Sequence, residues 1–380
     1  ILICCRYIMP SDNNSKKYSF PTSLDFIESR IQAIDPIKYA STRNFENGAL
    51  TLLGPYISRG VISTKRIMNH VFSLELGWNA TEKLIQELAW RDYWQQVWIA
   101  KKNQIESDIN FDQKPVLHND AVPSAIINGS TGIELVDKAI HLFYESGYLH
   151  NHMRMYIAAI CTNIGKYHWR QPAKWMYANL LDGDLASNHL SWQWVAGTFS
   201  NRKYVANQEN INKYFNGSQR NTFLDVSYEA FANLKVPAIL LENESYMMEM
   251  EYPASVNIES LENKKTLIYN YYNLDPCWHK DEDFQRILLI EPSVFNRHPI
   301  SQKCMDFAVS LSENIEGIQI VVGEFSSLNQ HIEEQYITFK EHPLNRHYKG
   351  QEEDREWMSS VEGYYPGFFK FWNKVKKEIK

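Results

Sequence analysis

Cysteine is scarce in this 380-residue chain: Cys4, Cys5, Cys161, Cys277 and Cys304 are all it has. Their spacing fits no zinc or iron–sulfur pattern, so no metal site is expected. Their odd number argues against a disulfide framework, and a reducing cytoplasm follows. No apolar run approaches the roughly 20 residues that cross a bilayer. The apolar start ILICC is too short for a signal sequence, and Met9 is taken as the start residue, with residues 1–8 upstream of it. There is no internal repeat and no low-complexity tract, which excludes solenoids and fibrous folds. The later part of the chain lacks a glycine-rich loop that would mark a nucleotide site.

Aromatic residues, by contrast, are abundant: 11 Trp, 22 Tyr and 18 Phe. Most must be core, yet their density suits stacking on a planar ligand or a base. The net charge of −6 hides an asymmetry. Residues 1–220 carry 23 Lys/Arg against 19 Asp/Glu, a net +4, and residues 221–380 carry 16 against 26, a net −10. The first part can therefore present a basic face although the whole is acidic.

Residues 1–21 are expected to be a disordered leader. Helical periodicity begins near residue 22 with DFIESRIQAI and VISTKRIMNHVFSLE. The long TEKLIQELAWRDYWQQVWIAKK follows, with Thr81 placed as its N-cap. Residues 105–131 read as loop. TGIELVDKAIHLFYESG, LHNHMRMYIAAICTNIGKYHW and PAKWMYANLL continue the helical series, and a further helix starts near Asp184. After about residue 220 the pattern changes. VPAILLE, RILLIEP and IQIVVGEF read as short β-runs, with helical spacing in ISQKCMDFAVSLSENIEG between the last two. The expectation is a mainly α protein: an all-helical domain over residues 22–235 and a small α/β domain over residues 236–380, ending in an aromatic and basic tail.

Three segments concentrate unusual chemistry. Glu87 and Trp90 share a helix face at i, i+3. Asn151, Arg154 and Met155 share another. LLDGDLASNHLSWQW sets Asp182 and Asp184 about a glycine, then Asn188, Trp192 and Trp194. Each alone has an ordinary explanation: a solvated acid over a core ring, a structural ion pair, a turn. Together and in this order, ELAWRDYW, GYLHNHMRM and LLDGDLASNHLSWQW closely resemble the FAD-binding helical domain of the photolyase/cryptochrome family. Tyr39, Arg43, GPYISRGVIS and TGIELVDKAI support the resemblance, which covers residues 22–215.

The resemblance implies one non-covalent FAD. A second antenna chromophore is not expected, because the α/β unit that follows shows no recognisable site for one. The implied flavin-binding residues are Tyr39, Thr51, Leu53, Glu87, Arg91, Asn151, Arg154, Asp182, Asp184 and Asn188. Arg154 paired with Asp182 would hold the charge of a reduced flavin. Asn188 would face the reactive edge of the ring system, where an amide can both donate and accept. Trp192 and Trp169 would pass electrons to the flavin, while the outermost position of that route falls near Val116, with Trp175 or Tyr177 as substitutes. The implied partner is damaged DNA with a flipped pyrimidine dimer, met by Arg43, Trp90 and Trp194, with Glu87, Asn151 and Met155 in catalytic contact. Asn151 and Met155, where six-four photolyases carry histidines, point to cyclobutane dimers. The implied function is light-driven dimer splitting. A photosensor that binds FAD without repair is the alternative, and a cofactor-free helical protein is the third. Two features depart from the family: LTLLG replaces a hydroxyl-rich phosphate loop, and the α/β unit follows the helical domain.

Overall fold

The computed structural model describes residues 18–380. The expected start at Met9 and residues 1–17 of the expected leader lie outside them. The leader's last residues are packed: Tyr18 is buried and stacks on Tyr148 with ring centroids 4.8 Å apart.

The principal helices of the first part are α1 (Leu24–Gln32), α2 (Pro36–Thr42), α3 (Gly54–Ser58), α4 (Thr64–Ser73), α5 (Trp78–Lys101), α6 (Glu134–Ser146), α7 (Asn151–Ala159), α8 (Arg170–Asn179), α9 (Leu185–Ala196) and α10 (Gln208–Phe215). Their starts follow from local chemistry. Asp35, Ser63, Asp184 and Asn207 each accept a backbone N–H two or three residues into the helix that follows. Such a cap satisfies a donor that the first turn leaves orphaned. Thr81 is not the cap of α5, contrary to expectation. The helix opens a turn earlier, after Gly77, whose φ of 75° suits glycine, and the Thr81 hydroxyl bonds back to the Gly77 carbonyl.

The second part holds a parallel five-stranded sheet. Its strands are β1 (Thr266–Tyr269), β2 (Gln285–Ile290), β3 (Ile318–Val322), β4 (Ile337–Lys340) and β5 (Gln351–Glu353), in the spatial order β3-β2-β1-β4-β5. The longest helices of this part are α11 (Gln302–Ser312) and α12 (Phe368–Ile379). The expected run VPAILLE is not one of these strands. Ala238–Leu240 forms a 3-10 turn that buries Leu240 among the residues of α6 to α9, and Pro237 just before it cannot donate to a ladder.

Both faces of the sheet are covered, which explains the unbroken apolar run in β2. Leu267, Tyr269, Leu288 and Ile290 point to one cluster, while Ile268, Ile287 and Leu289 point to the other. The first cluster does not stop at the sheet. It runs on through Met305 and Leu311 of α11 and Phe371 and Trp372 of α12 to Ile31, Tyr56, Tyr93 and Trp98 of the helical part. The helices and the sheet thus share one core.

Arg59 lies at this junction with no exposed surface. Its guanidinium stacks over Tyr271 at 3.5 Å and Tyr272 at 4.9 Å from the ring centroids, and Nη2 donates to the Gly183 carbonyl. Nε and Nη1 have no partner. In place of a carboxylate, two aromatic faces offset the cost of burying the charge. Gly60 makes the approach possible: a Cβ there would sit 2.3 Å from the Tyr272 carbonyl oxygen, and its φ is 67°.

Candidate functional site

The turn between α8 and α9 carries both acids. Asp182 accepts from Arg154 Nη2 through Oδ1 at 3.0 Å and Oδ2 at 2.8 Å. Arg154 Nε donates to the Leu149 carbonyl at 2.7 Å, which fixes the guanidinium plane. Asp184 caps α9 by accepting Ser187 N–H at 2.7 Å. Its other oxygen takes Gln95 Nε2 at 2.6 Å and stands 3.4 Å from Arg91 Nη2. The turn is braced from behind. Ser58 Oγ donates to the Asp182 carbonyl at 2.8 Å and accepts from Arg91 at 3.0 Å, and Arg59 holds the next carbonyl. Gly54 lies so close that a Cβ would stand 3.0 Å from Asp182 Oδ2. The LTLLG loop therefore ends against the acid.

Asn151, Arg154, Met155, Asp182, Asp184, Asn188 and Trp192 line one cavity of about 130 Å³. Two of its polar groups are set for a ligand. Asn188 Nδ2 donates to the Ala173 carbonyl at 2.9 Å, which leaves the amide oxygen available. Ser187 Oγ, on the same wall, is buried and has no protein partner. The volume is below the roughly 300–1,000 Å³ of a drug-sized ligand site. A dinucleotide would need the mouth as well as the enclosed part.

The other expected residues lie elsewhere. Glu87 is paired with Lys83 at 2.9 Å and stands 3.5 Å from Arg43. Tyr39 is beside it, its phenol pushed up by burial and then by the Glu87 carboxylate. Leu53 is buried, and its N–H meets Thr51 Oγ1 at 3.4 Å. Trp90 lies face to face with Phe368 of α12, with centroids 3.7 Å apart and planes within 9°. Trp194 is 37% exposed, next to Tyr204. Neither of these two indoles lines the cavity. Trp169 is fully buried, and its Nε1 donates to Asp108 Oδ1 at 2.8 Å. Of the two substitutes for the outermost ring, Tyr177 is tied to Tyr272 through their hydroxyls at 2.8 Å in the core. Trp175 instead donates to the hydroxyl of the exposed Tyr144 at 2.8 Å.

Ser58, Arg59, Gln95, Ser187 and Asp108 were not expected. GPYISRGVIS contained the first two, but nothing in its pattern assigned them a role. Asp108 is 61 residues from its indole partner and stands in an irregular loop.

A larger cavity of about 580 Å³ opens at the carboxyl ends of β1 and β4. The strand order reverses there, which is where open parallel sheets take ligands. Asn273 and His342 line it, both buried, and Asn273 Nδ2 and His342 Nε2 have no partner. Arg91 and Gln95 line it too, so the Asp184 contacts form the wall between the two cavities. Among the described residues, no group of three or more His, Cys, Asp or Glu could hold a metal ion, and no helix is long and apolar enough to cross a membrane.

Comparison with known proteins bears on the smaller cavity. The family described as the FAD binding domain of DNA photolyase matches residues 84–231. A deoxyribodipyrimidine photo-lyase of Streptomyces griseus is 33% identical over 150 residues, 40% of this chain and 32% of that protein. One of Alkalihalophilus pseudofirmus is 28% identical over 161 residues, 42% and 34% of the two chains. Among solved structures, a Synechocystis cryptochrome is 24% identical with a TM-score of 0.46, over 52% of this chain and 45% of that one. The chain thus spans about a third of the length of these curated relatives.

Proposed function

We propose, from the premise that residues 84–231 of this chain belong to the photolyase/cryptochrome family, that it is a flavoprotein that uses light to split cyclobutane pyrimidine dimers in DNA. One observation carries the flavin assignment: the Arg154–Asp182 pair lines the same cavity as Asp184, Asn188 and Trp192. An Arg–carboxylate pair can accept a neighbouring anion without leaving a net buried charge behind when the anion is absent. The unpartnered Ser187 hydroxyl is the kind of orphaned polar atom that a flavin edge would satisfy, and the Asn188 amide oxygen can accept from the ring beside it.

Reduced flavin, when bound here, supplies the light-excited electron donor. The chain's own residues do the rest. Arg154 and Asp182 hold the charge, and Asn188 orients the reactive edge through its free oxygen. Trp192, buried in the cavity wall, excludes water and conducts electrons. Asn151, exposed at the rim, and Met155 beside it are assigned to the dimer, together with Glu87, Arg43 and Trp194. The proposed working place is the cytoplasm, and residue 235 is the proposed boundary between two domains that fold together through the core they share.

The photosensor reading has one observation in its favour: Phe368 covers a face of Trp90, one of the two rings assigned to the dimer. Absorption and illumination decide between the readings. The purified protein is expected to absorb as a flavin and to convert dimer-containing DNA under light, with an action spectrum matching reduced flavin alone. An added band would place a second absorbing molecule on the protein, with the larger cavity as the first site to test. A colourless protein would sink the flavin assignment. A flavoprotein that binds intact and damaged DNA equally and leaves dimers whole would establish the sensor.

Trp194 gives the cleanest substrate test, because it is exposed and its one ring partner among the described residues is Tyr204. Trp194→Ala should weaken binding of damaged DNA by about 1–3 kcal/mol, the worth of one stacked base. Flavin content and melting temperature should stay as in the wild type. Unchanged affinity in a gel-shift titration would remove Trp194 from the interface.

A further inference from the structure

We infer that Asp108 holds positive charge on Trp169 and makes that indole the terminal electron donor of the chain. The inference rests on the proposed flavin site. In the electron route that the family resemblance implies, the outermost position falls near Val116, a residue with no ring to oxidise.

The geometry around Trp169 supplies a reason to stop there. The indole is fully buried, and its Nε1–H donates to Asp108 Oδ1 at 2.8 Å, the length of a charge-assisted hydrogen bond. The same oxygen lies 3.2 Å from His168 Nε2, while Oδ2 accepts Gln113 N–H at 2.7 Å. Gln113 closes the lattice: its Oε1 accepts Trp169 N–H at 2.9 Å and its Nε2 donates to the Tyr167 carbonyl at 2.7 Å. The carboxylate is therefore locked against the indole by contacts on both of its oxygens. His189 meets the ring edge-on at 5.5 Å, and burial, with Lys174 nearby, drives its imidazole down to about 3, so it is neutral.

Trp169 would give up one electron by way of Trp192 to a bound flavin in its oxidised form, which light excitation would make the acceptor, the step that precedes the reduced state used for repair. No bond breaks. The hole left on the indole is a unit positive charge in a buried site, and a fixed carboxylate at its N–H stabilises it far more than water-exposed charge would. These donors hold the Asp108 carboxyl below the usual range, against the opposing pull of burial. The group stays ionised at neutral pH and keeps the proton on the indole.

Transient absorption of the flavin-loaded protein after a light flash tests this. Asp108→Asn keeps an acceptor for Nε1 and removes the charge. It should shorten the lifetime of oxidised tryptophan about tenfold, as expected when a charge-assisted bond becomes a neutral one, and Asp108→Glu should restore most of the lifetime. Trp169→Phe should abolish the long-lived signal. In the flavin-free protein, the Trp169 Nε1–H resonance should move upfield in Asp108→Asn, which reports the charge without any photochemistry. An unchanged lifetime in Asp108→Asn, an unmoved resonance, or a long-lived radical surviving Trp169→Phe would overturn the assignment while leaving the flavin site intact. A flavin-loaded wild type that forms no tryptophan radical would overturn the electron route and this inference with it.

Discussion

Asp182→Ala is expected to strip the protein of its flavin. Arg154 Nη2 now reaches both Asp182 oxygens, and the two side chains are only 23% and 15% exposed. Removal of the acid leaves the guanidinium with the Leu149 carbonyl as its remaining hydrogen-bond acceptor. Breaking a buried pair from one side costs about 3–5 kcal/mol, and the partial exposure places this one near the lower end. A loss of about 3 kcal/mol in binding raises the FAD dissociation constant on the order of a hundredfold. Fluorescence titration of the deflavinated protein measures it. The backbone of the turn should survive, because Ser58 and Arg59 hold its carbonyls rather than its side chains. A variant that purifies with the wild-type flavin load would remove Asp182 from the binding site.

Truncation after residue 235 should abolish folding altogether. The notion of a helical domain with an appendage would allow a soluble, shortened flavoprotein. The shared core does not. Tyr56, Tyr93 and Trp98 would lose the cover of Tyr271, Tyr272, Phe371 and Trp372. Each large apolar side chain returned to water costs roughly 1.5–3 kcal/mol. A handful of them consumes the ~5–15 kcal/mol by which a domain is stable. Arg59 would lose both aromatic faces at the same time. Soluble yield and a circular-dichroism melt of residues 18–235 check this. A cooperative melt with bound flavin would show that the helices fold alone.

What the sequence disclosed and what it hid divide along lines of distance. Asp182, Asp184 and Arg154 were legible because each stands in a short local motif, and the three motifs in their order along the chain resemble a known family, although each alone reads as a turn or an ordinary ion pair. The helices were legible because capping and periodicity are local. The error at Thr81 was also local: a hydroxyl that can cap a helix can equally bond back within it. VPAILLE and TLIY are both short apolar runs, and only the second found strands on either side of it. Whether such a run pairs depends on what the rest of the chain brings near. The cover of Phe368 over Trp90 and the Asp108 carboxylate at Trp169 belong to this second kind. Neither residue stands in a pattern, and each matters only through a partner far away in the chain.

The buried Arg59 has a consequence for how such a protein can be altered by recombination. Its charge is tolerable only while the ring faces of Tyr271 and Tyr272 cover it and Gly60 lets their backbone close in. A helical half transplanted onto a different sheet would carry a bare guanidinium into an apolar seam. A sheet transplanted onto different helices would bring two rings with nothing to enclose. Arg59, Gly60, Tyr271 and Tyr272 therefore have to travel as one unit, although more than two hundred residues of sequence separate the pairs, and a chimera joined anywhere between them must keep all four.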